Sequence, residues 1–216
     1  MTEQKPKAKL FSWKYFGVDF IRLTGALPTL LWYRPKVLYE NENAKNKIRG
    51  AALVISNHNC FFDPVYVMLG IWYRRHRFIC NQEFFETKAK PFFRIVRCIP
   101  IDIENFNIGS LREINDCLKQ GELVSMFPEG HINDGSGEMR QFKSGMVLMA
   151  VRADVPIVPV YIKEHKPKSG RLKMIIGEPI DIKKRYGGMP NLQQIDQLTA
   201  ELFDKENQLK ELVNNL

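Results

Sequence analysis

Short apolar runs recur along the chain between stretches of helical character, and this alternation does most to limit the fold. "AALVIS" (51–56), "LVSMF" (123–127), "PIVPVYI" (156–162) and "LKMIIG" (172–177) are rich in branched residues and nearly free of charge, the composition of buried strands. "VLYE", "RFIC" and "IPID" read as further short strands. "DPVYVMLGIWY" opens as a helix should, because Asp63 can cap it and Pro64 suits its first turn. "EFFETKAKPFFRIVR" reads as helical, with Pro91 marking a kink or a break. In "SLREINDCLKQG", Ser110 is the expected cap, Leu111, Ile114 and Leu118 face inward, and Gly121 is the stop. "SGMVLMAVRA" and residues 191–214 supply the last helices. Strands alternating with helices predict an α/β fold, a layered sheet flanked by helices. With 216 residues and 44% hydrophobic content, the chain can bury a sizeable core as one domain.

Residues 1–36 stand apart as a basic, aromatic helical segment, leaving 37–216 as the folded domain. Trp13, Phe16, Phe20, Leu23 and Leu27 share one helical face, with Lys7, Lys9, Lys14, Arg22, Arg34 and Lys36 around them. An amphipathic helix lying on an anionic membrane surface has this pattern, and so does a helix packed on a core. The uncharged run Leu23–Tyr33 stops well short of the ~20 apolar residues that span a bilayer. The polar, lysine-rich start does not read as a secretory signal, which places the expected association on the cytoplasmic face.

A formal charge of +8 favours anionic partners. The basic clusters "KPKSGRLK" and "DIKKRYGG" belong to no nucleic-acid module and read as solvated faces, so no nucleic-acid partner is expected. Cys60, Cys80, Cys98 and Cys117 lack metal-ligand spacing, so neither metal nor cofactor is expected.

The stretch "SNHNCFFDP" (56–64) follows a predicted strand and leads into a predicted helix. Such a joint brings His58 and Asp63 within reach of each other. Imidazole is suited to take a proton near neutral pH, and a carboxylate on its other nitrogen fixes the tautomer. The plainer reading makes Asp63 a helix cap and lets Asn57 and His58 satisfy loop backbone. Cys60 offers another chemistry, a thiolate–imidazolium pair.

Three further stretches follow in order: "MFPEGH" (126–131), "QFKSG" (141–145) and "VPIVPVYI" (155–162). With "SNHNCFFDP" they resemble the glycerolipid acyltransferase family, whose best-known members are lysophosphatidic acid acyltransferases. The resemblance covers about half the chain, Leu53 to Ile162. It implies that His58 is the general base, that Asp63 orients it, and that an acceptor hydroxyl attacks an acyl thioester directly. It also implies an acceptor-binding block at Phe127, Pro128, Glu129 and Gly130, with Lys143 at a family lysine position and Asn57 beside the base as a substrate contact. The implied donor is acyl-CoA or acyl-carrier protein, and the acceptor a lysolipid, 1-acylglycerol-3-phosphate first.

Two blocks depart from the family. After Glu-Gly, family members carry threonine-arginine-serine, whereas this chain has His131, Ile132 and Asn133. The second block, usually glycine-x-isoleucine-proline-x-x-arginine, here puts Arg97 at the glycine and Ile103 at the arginine. Arg97, Arg140, Lys143 and His131 are the cations left to meet an acceptor phosphate. The alternatives are an acceptor without a terminal phosphate, or a non-catalytic lipid-surface protein of the same fold.

Overall fold

The computed structural model describes residues 15–102, 108–133, 138–164 and 171–216. Among them, seven strands form one sheet in the order β1-β7-β6-β2-β5-β3-β4. The strands are β1 (Lys36–Tyr39), β2 (Ala52–Ser56), β3 (His76–Asn81), β4 (Ile99–Ile101), β5 (Leu123–Met126), β6 (Ile157–Ile162) and β7 (Lys173–Ile176). β6, β2, β5, β3 and β4 are parallel, and β7 pairs antiparallel to β6 while β1 runs parallel to β7. β2 and β6 are buried at every position, the state expected of central parallel strands covered on both faces.

The helices are α1 (Phe16–Tyr33), α2 (Asp63–Gly70), α3 (Lys90–Ile95), α4 (Ile108–Lys119), α5 (Gly145–Ala153), α6 (Ile182–Tyr186) and α7 (Leu192–Asn214). One sheet face buries Leu53, Ile55, Val124 and Ile157 against Ile114, Leu118, Met146, Ala150, Leu198 and Leu202 from α4, α5 and α7. The other buries Val54, Leu123, Val158 and Val160 with Tyr66, Val67 and Ile71, under α2. Each of the Val, Leu, Ile and Met side chains among them contributes about 1.5–3 kcal/mol by its burial. The closing helix α7 carries a capping box, the Asn191 side chain on Gln194 N–H and the Gln194 side chain on Asn191 N–H.

Three sequence expectations change. "EFFETKAKPFFRIVR" is not one helix but a 3-10 turn (Gln82–Phe85) followed by α3, with Pro91 in its first turn, so the proline breaks rather than kinks. Ser110 is not a cap, because it lies within α4 and its hydroxyl donates to the Pro100 carbonyl at 2.9 Å. Asp63 lies inside α2 and makes no capping bond to it, since its carboxylate turns back to the preceding loop. Gly121 does end α4, in the left-handed conformation (φ +82°) that suits glycine.

α1 docks on the α2 side of the sheet. Asp19 holds Arg75 at 2.7 Å, Arg22 donates to the Trp72 carbonyl, and Gly17 lies so close to Ile95 that a β-carbon there would meet Ile95 Cγ2 at 2.5 Å. Arg22 is thus occupied in docking rather than free on the surface. Phe16 and Phe20 are about half exposed, and Leu23, Leu31 and Trp32 are 77%, 70% and 76% exposed. Trp13, expected on the same face, and Lys7, Lys9 and Lys14, expected around it, lie outside the described residues, and no described helix is long and apolar enough to cross a membrane.

Candidate active site

The parallel strands β2, β5 and β6 end at one edge of the sheet, and the loops leaving them meet there. β2 delivers Asn57 and His58, β5 delivers Phe127 to Gly130, and β6 ends at Ile162. Asn57 locks β2 to β6, its amide donating to the Ile162 carbonyl at 3.0 Å and accepting from the Ile162 N–H at 2.7 Å. Asn59 donates to the same carbonyl at 2.9 Å. Asn57 is fully buried with both ends of its amide used inside the protein, which corrects its expected role as a substrate contact.

The chain then loops around the Asp63 carboxylate. Asp63 Oδ2 accepts from the Asn59 N–H (2.6 Å), the Cys60 N–H (2.7 Å) and His58 Nδ1 (2.9 Å). A carboxylate only accepts, so Nδ1 carries a proton, and in the neutral ring Nε2 holds the lone pair. The Asp63 side chain is 1% exposed and that of His58 16%, so the orienting group is shielded while the ring keeps an open edge. The Phe127 ring lies over the imidazole at 4.0 Å and 15°, in a stack that continues through Phe78 to His76.

Glu129 braces the arrangement. Its Oε1 accepts from the His58 N–H at 2.9 Å and its Oε2 from the Arg140 N–H at 2.8 Å. Burial pushes its carboxyl above the ordinary value, and those two N–H groups oppose the rise. The Asn133 N–H donates to the His58 carbonyl at 2.7 Å, and the Lys143 N–H to the buried Pro128's carbonyl at 3.0 Å. Gly130 adopts φ +75°, which lets the loop turn back on itself. Both oxygens of Glu129 are therefore engaged by backbone, so this residue holds the base loop and the β5 loop together. Nothing in the sequence marks Asn59, Phe78 or the Asn133 amide, whose parts depend on contacts distant along the chain.

Cys60 donates its thiol to Asp63 Oδ1 at 3.4 Å. Burial and the Asp63 charge push that thiol up to about 11, so it is not a thiolate at neutral pH and the cysteine-nucleophile reading fails.

The expected phosphate-binding cations divide. His131, Arg140 and Lys143 are exposed at the His58 end of the sheet. Arg97 is not brought to them. It precedes β4, its carbonyl accepts from Arg77 Nε at 2.5 Å, and its guanidinium lies 3.7 Å from Glu122 and 4.6 Å from the centre of the Tyr15 ring. Glu122 leads into β5 whereas Phe127 follows it, so Arg97 points to the opposite edge of the sheet. Arg97 also has φ +57°, a left-handed conformation at the position where the family carries glycine. Ile103 lies outside the described residues.

A shielded carboxylate, an imidazole held beside it and a loop rim of cations meet at one end of an α/β sheet, an arrangement able to take a proton from a hydroxyl. The Acyltransferase family model matches residues 36–163, more than half of the chain, and the protein belongs to that family as an O-acyltransferase. It is 27% identical over 181 residues to the 1-acyl-sn-glycerol-3-phosphate acyltransferase of Bacillus subtilis, covering 81% of this chain and 87% of that one. It is 28% identical over 170 residues to the 1-acyl-sn-glycerol-3-phosphate acyltransferase of Streptococcus pneumoniae, covering 74% and 62%. The crystal structure of the 1-acyl-sn-glycerophosphate (LPA) acyltransferase PlsC from Thermotoga maritima superposes with a TM-score of 0.64 at 24% identity, over 90% of this chain and 79% of that one, and shares the fold.

Proposed function

We propose that the protein moves a fatty acyl group from an acyl thioester, acyl-CoA or acyl-carrier protein, to the free hydroxyl of 1-acylglycerol-3-phosphate. The observation that carries this reading is the 2.9 Å contact of His58 Nδ1 with a buried Asp63, which leaves Nε2 as the proton acceptor. The acceptor O–H gives its proton to Nε2 as its oxygen attacks the thioester carbonyl. The tetrahedral adduct collapses, the C–S bond breaks, and the imidazolium returns the proton to the departing thiolate. Asp63 steadies the imidazolium between those steps. The names of the relatives support a phosphate-bearing acceptor. Lys143 and Arg140 are the cations placed to meet it, with His131 beside them. We place the reaction at the cytoplasmic membrane face, with the exposed apolar side of α1 on an anionic surface.

Thiol release from an acyl thioester, measured with a panel of lysolipids with and without a phosphomonoester, tests this reading. Turnover is expected with 1-acylglycerol-3-phosphate and not with its dephosphorylated counterpart. Equal turnover would shift the acceptor to a lysolipid without terminal phosphate, the reading favoured by the absence of arginine from "EGHIND".

A further inference from the structure

The loop that holds His58 and Asp63 exposes two phenylalanines between them. Phe61 is 60% and Phe62 54% exposed, with the rings edge to face at 6.0 Å. The geometry around Asp63 does not use them, since its loop contacts are to the His58 ring, the Asn59 and Cys60 N–H groups and the Cys60 thiol. Ile132, 45% exposed, sits on the facing loop beside Asn133, whose N–H holds the His58 carbonyl. His131, Arg140 and Lys143 are exposed on the adjoining loops, and the backbones of the last two are tied to Glu129 and Pro128.

Single exposed apolar residues need no explanation, but an exposed aromatic pair with cations on the adjoining loops does.

We propose that this rim is a second bilayer contact, distinct from α1. Phe61, Phe62 and Ile132 enter the apolar margin of an anionic lipid surface, and His131, Arg140 and Lys143 face its phosphates. His58 is thereby seated at the depth where a lipid acceptor presents its hydroxyl. Aromatic rings at the level of the headgroups with basic residues beside them are the composition that such interfaces select. This inference rests on the acyl-transfer reading above and adds where the site meets its substrate.

The test uses the full-length Phe61→Ser/Phe62→Ser variant, with Phe61→Leu/Phe62→Leu as an apolar control that guards against a folding defect. Co-sedimentation with phosphatidylglycerol–phosphatidylcholine vesicles gives the membrane affinity. Turnover is compared for a long-chain lysophosphatidic acid in those vesicles and a short-chain one dissolved as monomer. The serine pair is expected to lose about tenfold in vesicle affinity and in turnover on the vesicle acceptor, with monomer turnover within about twofold of wild type and the leucine pair close to wild type in both. Unchanged vesicle affinity, or equal loss on both acceptors, would overturn the proposal. If the wild-type protein turned over neither acceptor, the acyl-transfer reading would fail, while the vesicle affinities would still decide the rim.

Discussion

The two ends of the sheet both carry dense polar networks, and they are built in opposite ways. At the end where His58 sits, the carboxylates of Asp63 and Glu129 are satisfied mainly by backbone N–H groups, from Asn59 and Cys60 in one case and His58 and Arg140 in the other. At the far end, charge meets charge. Arg77 reaches Glu113 at 2.8 Å and Glu122 at 3.4 Å, Arg97 faces Glu122, Tyr15 donates to Glu122 at 2.5 Å, and Asp19 of α1 holds Arg75. The second arrangement staples α1 to the domain. The first fixes an imidazole without committing its outer nitrogen. A count of charged residues would rank the far end as the richer site. Whether the network leaves a reactive atom open separates chemistry from scaffolding.

The strongest way to break this contrast is His58→Ala. Loss of a general base is expected to lower kcat by about 10²–10⁴. Thermal unfolding should change little, because the His58 backbone bonds to Glu129 and Asn133 survive the substitution. Near wild-type turnover would make the His58 end scaffold as well.

Asp63→Asn comes next. An asparagine oxygen can replace Oδ2 in front of the three N–H donors, with its amide turned toward the Cys60 sulfur, so the loop should fold. The charge that steadies the imidazolium is gone, and a loss in kcat of about 10²-fold or more is expected. A large drop in melting temperature with little drop in rate would mark Asp63 as structural.

A paired substitution sharpens the comparison. Lys143→Ala should raise KM for 1-acylglycerol-3-phosphate about 3–10-fold with a smaller effect on kcat, the sign of lost ground-state binding. Arg97→Ala should leave KM unchanged and cost about 1 kcal/mol of stability, because it removes the cation beside Glu122 and over the Tyr15 ring. If the KM effect belonged to Arg97 instead, the division between the two ends would be wrong.

The smallest expected effect on catalysis lies at Glu206 of α7. It is fully buried, and its Oε1 accepts from the Val160 N–H at 3.2 Å. Burial pushes its carboxyl up to about 8, the Val160 N–H opposes the rise, and the charge of Glu129 adds to it. Between its ordinary value of 4.5 and about 8, the folded protein holds a proton that the unfolded chain has released, so this group makes stability fall as pH rises through that window. Glu206→Gln keeps an acceptor for Val160 and should flatten that slope with kcat unchanged. Melting temperatures at several pH values between 5 and 9 check it.

The α/β fold was legible because its central strands are buried on both faces and must be written as apolar runs. His58 and Asp63 were legible because a strand–loop–helix joint makes them neighbours in space as well as in sequence. Arg97 was not. Its place in a motif suggests proximity to the base, but the edge of the sheet it reaches depends on the register of β3 with β4, Ile79 opposite Ile99, and on Glu122, which is distant in sequence. Asn57 and Glu129 were found as important positions and misjudged in role, because their partners Ile162 and Arg140 are set by tertiary packing. Ser110 failed as a cap for a local reason, since it already lies within the helix and its hydroxyl finds Pro100 instead.

The central claim is that Asp63 holds His58 as the Nδ1–H tautomer with Nε2 free to accept a proton. Nitrogen-15 NMR of the histidine-labelled protein, with His58 assigned through the His58→Ala spectrum, reads this directly. The expected result for neutral His58 is a protonated, hydrogen-bonded Nδ1 and an Nε2 with the shift of an unprotonated nitrogen, a pattern kept in Asp63→Asn and lost in Asp63→Ala. A protonated Nε2 in the wild-type protein would contradict the account.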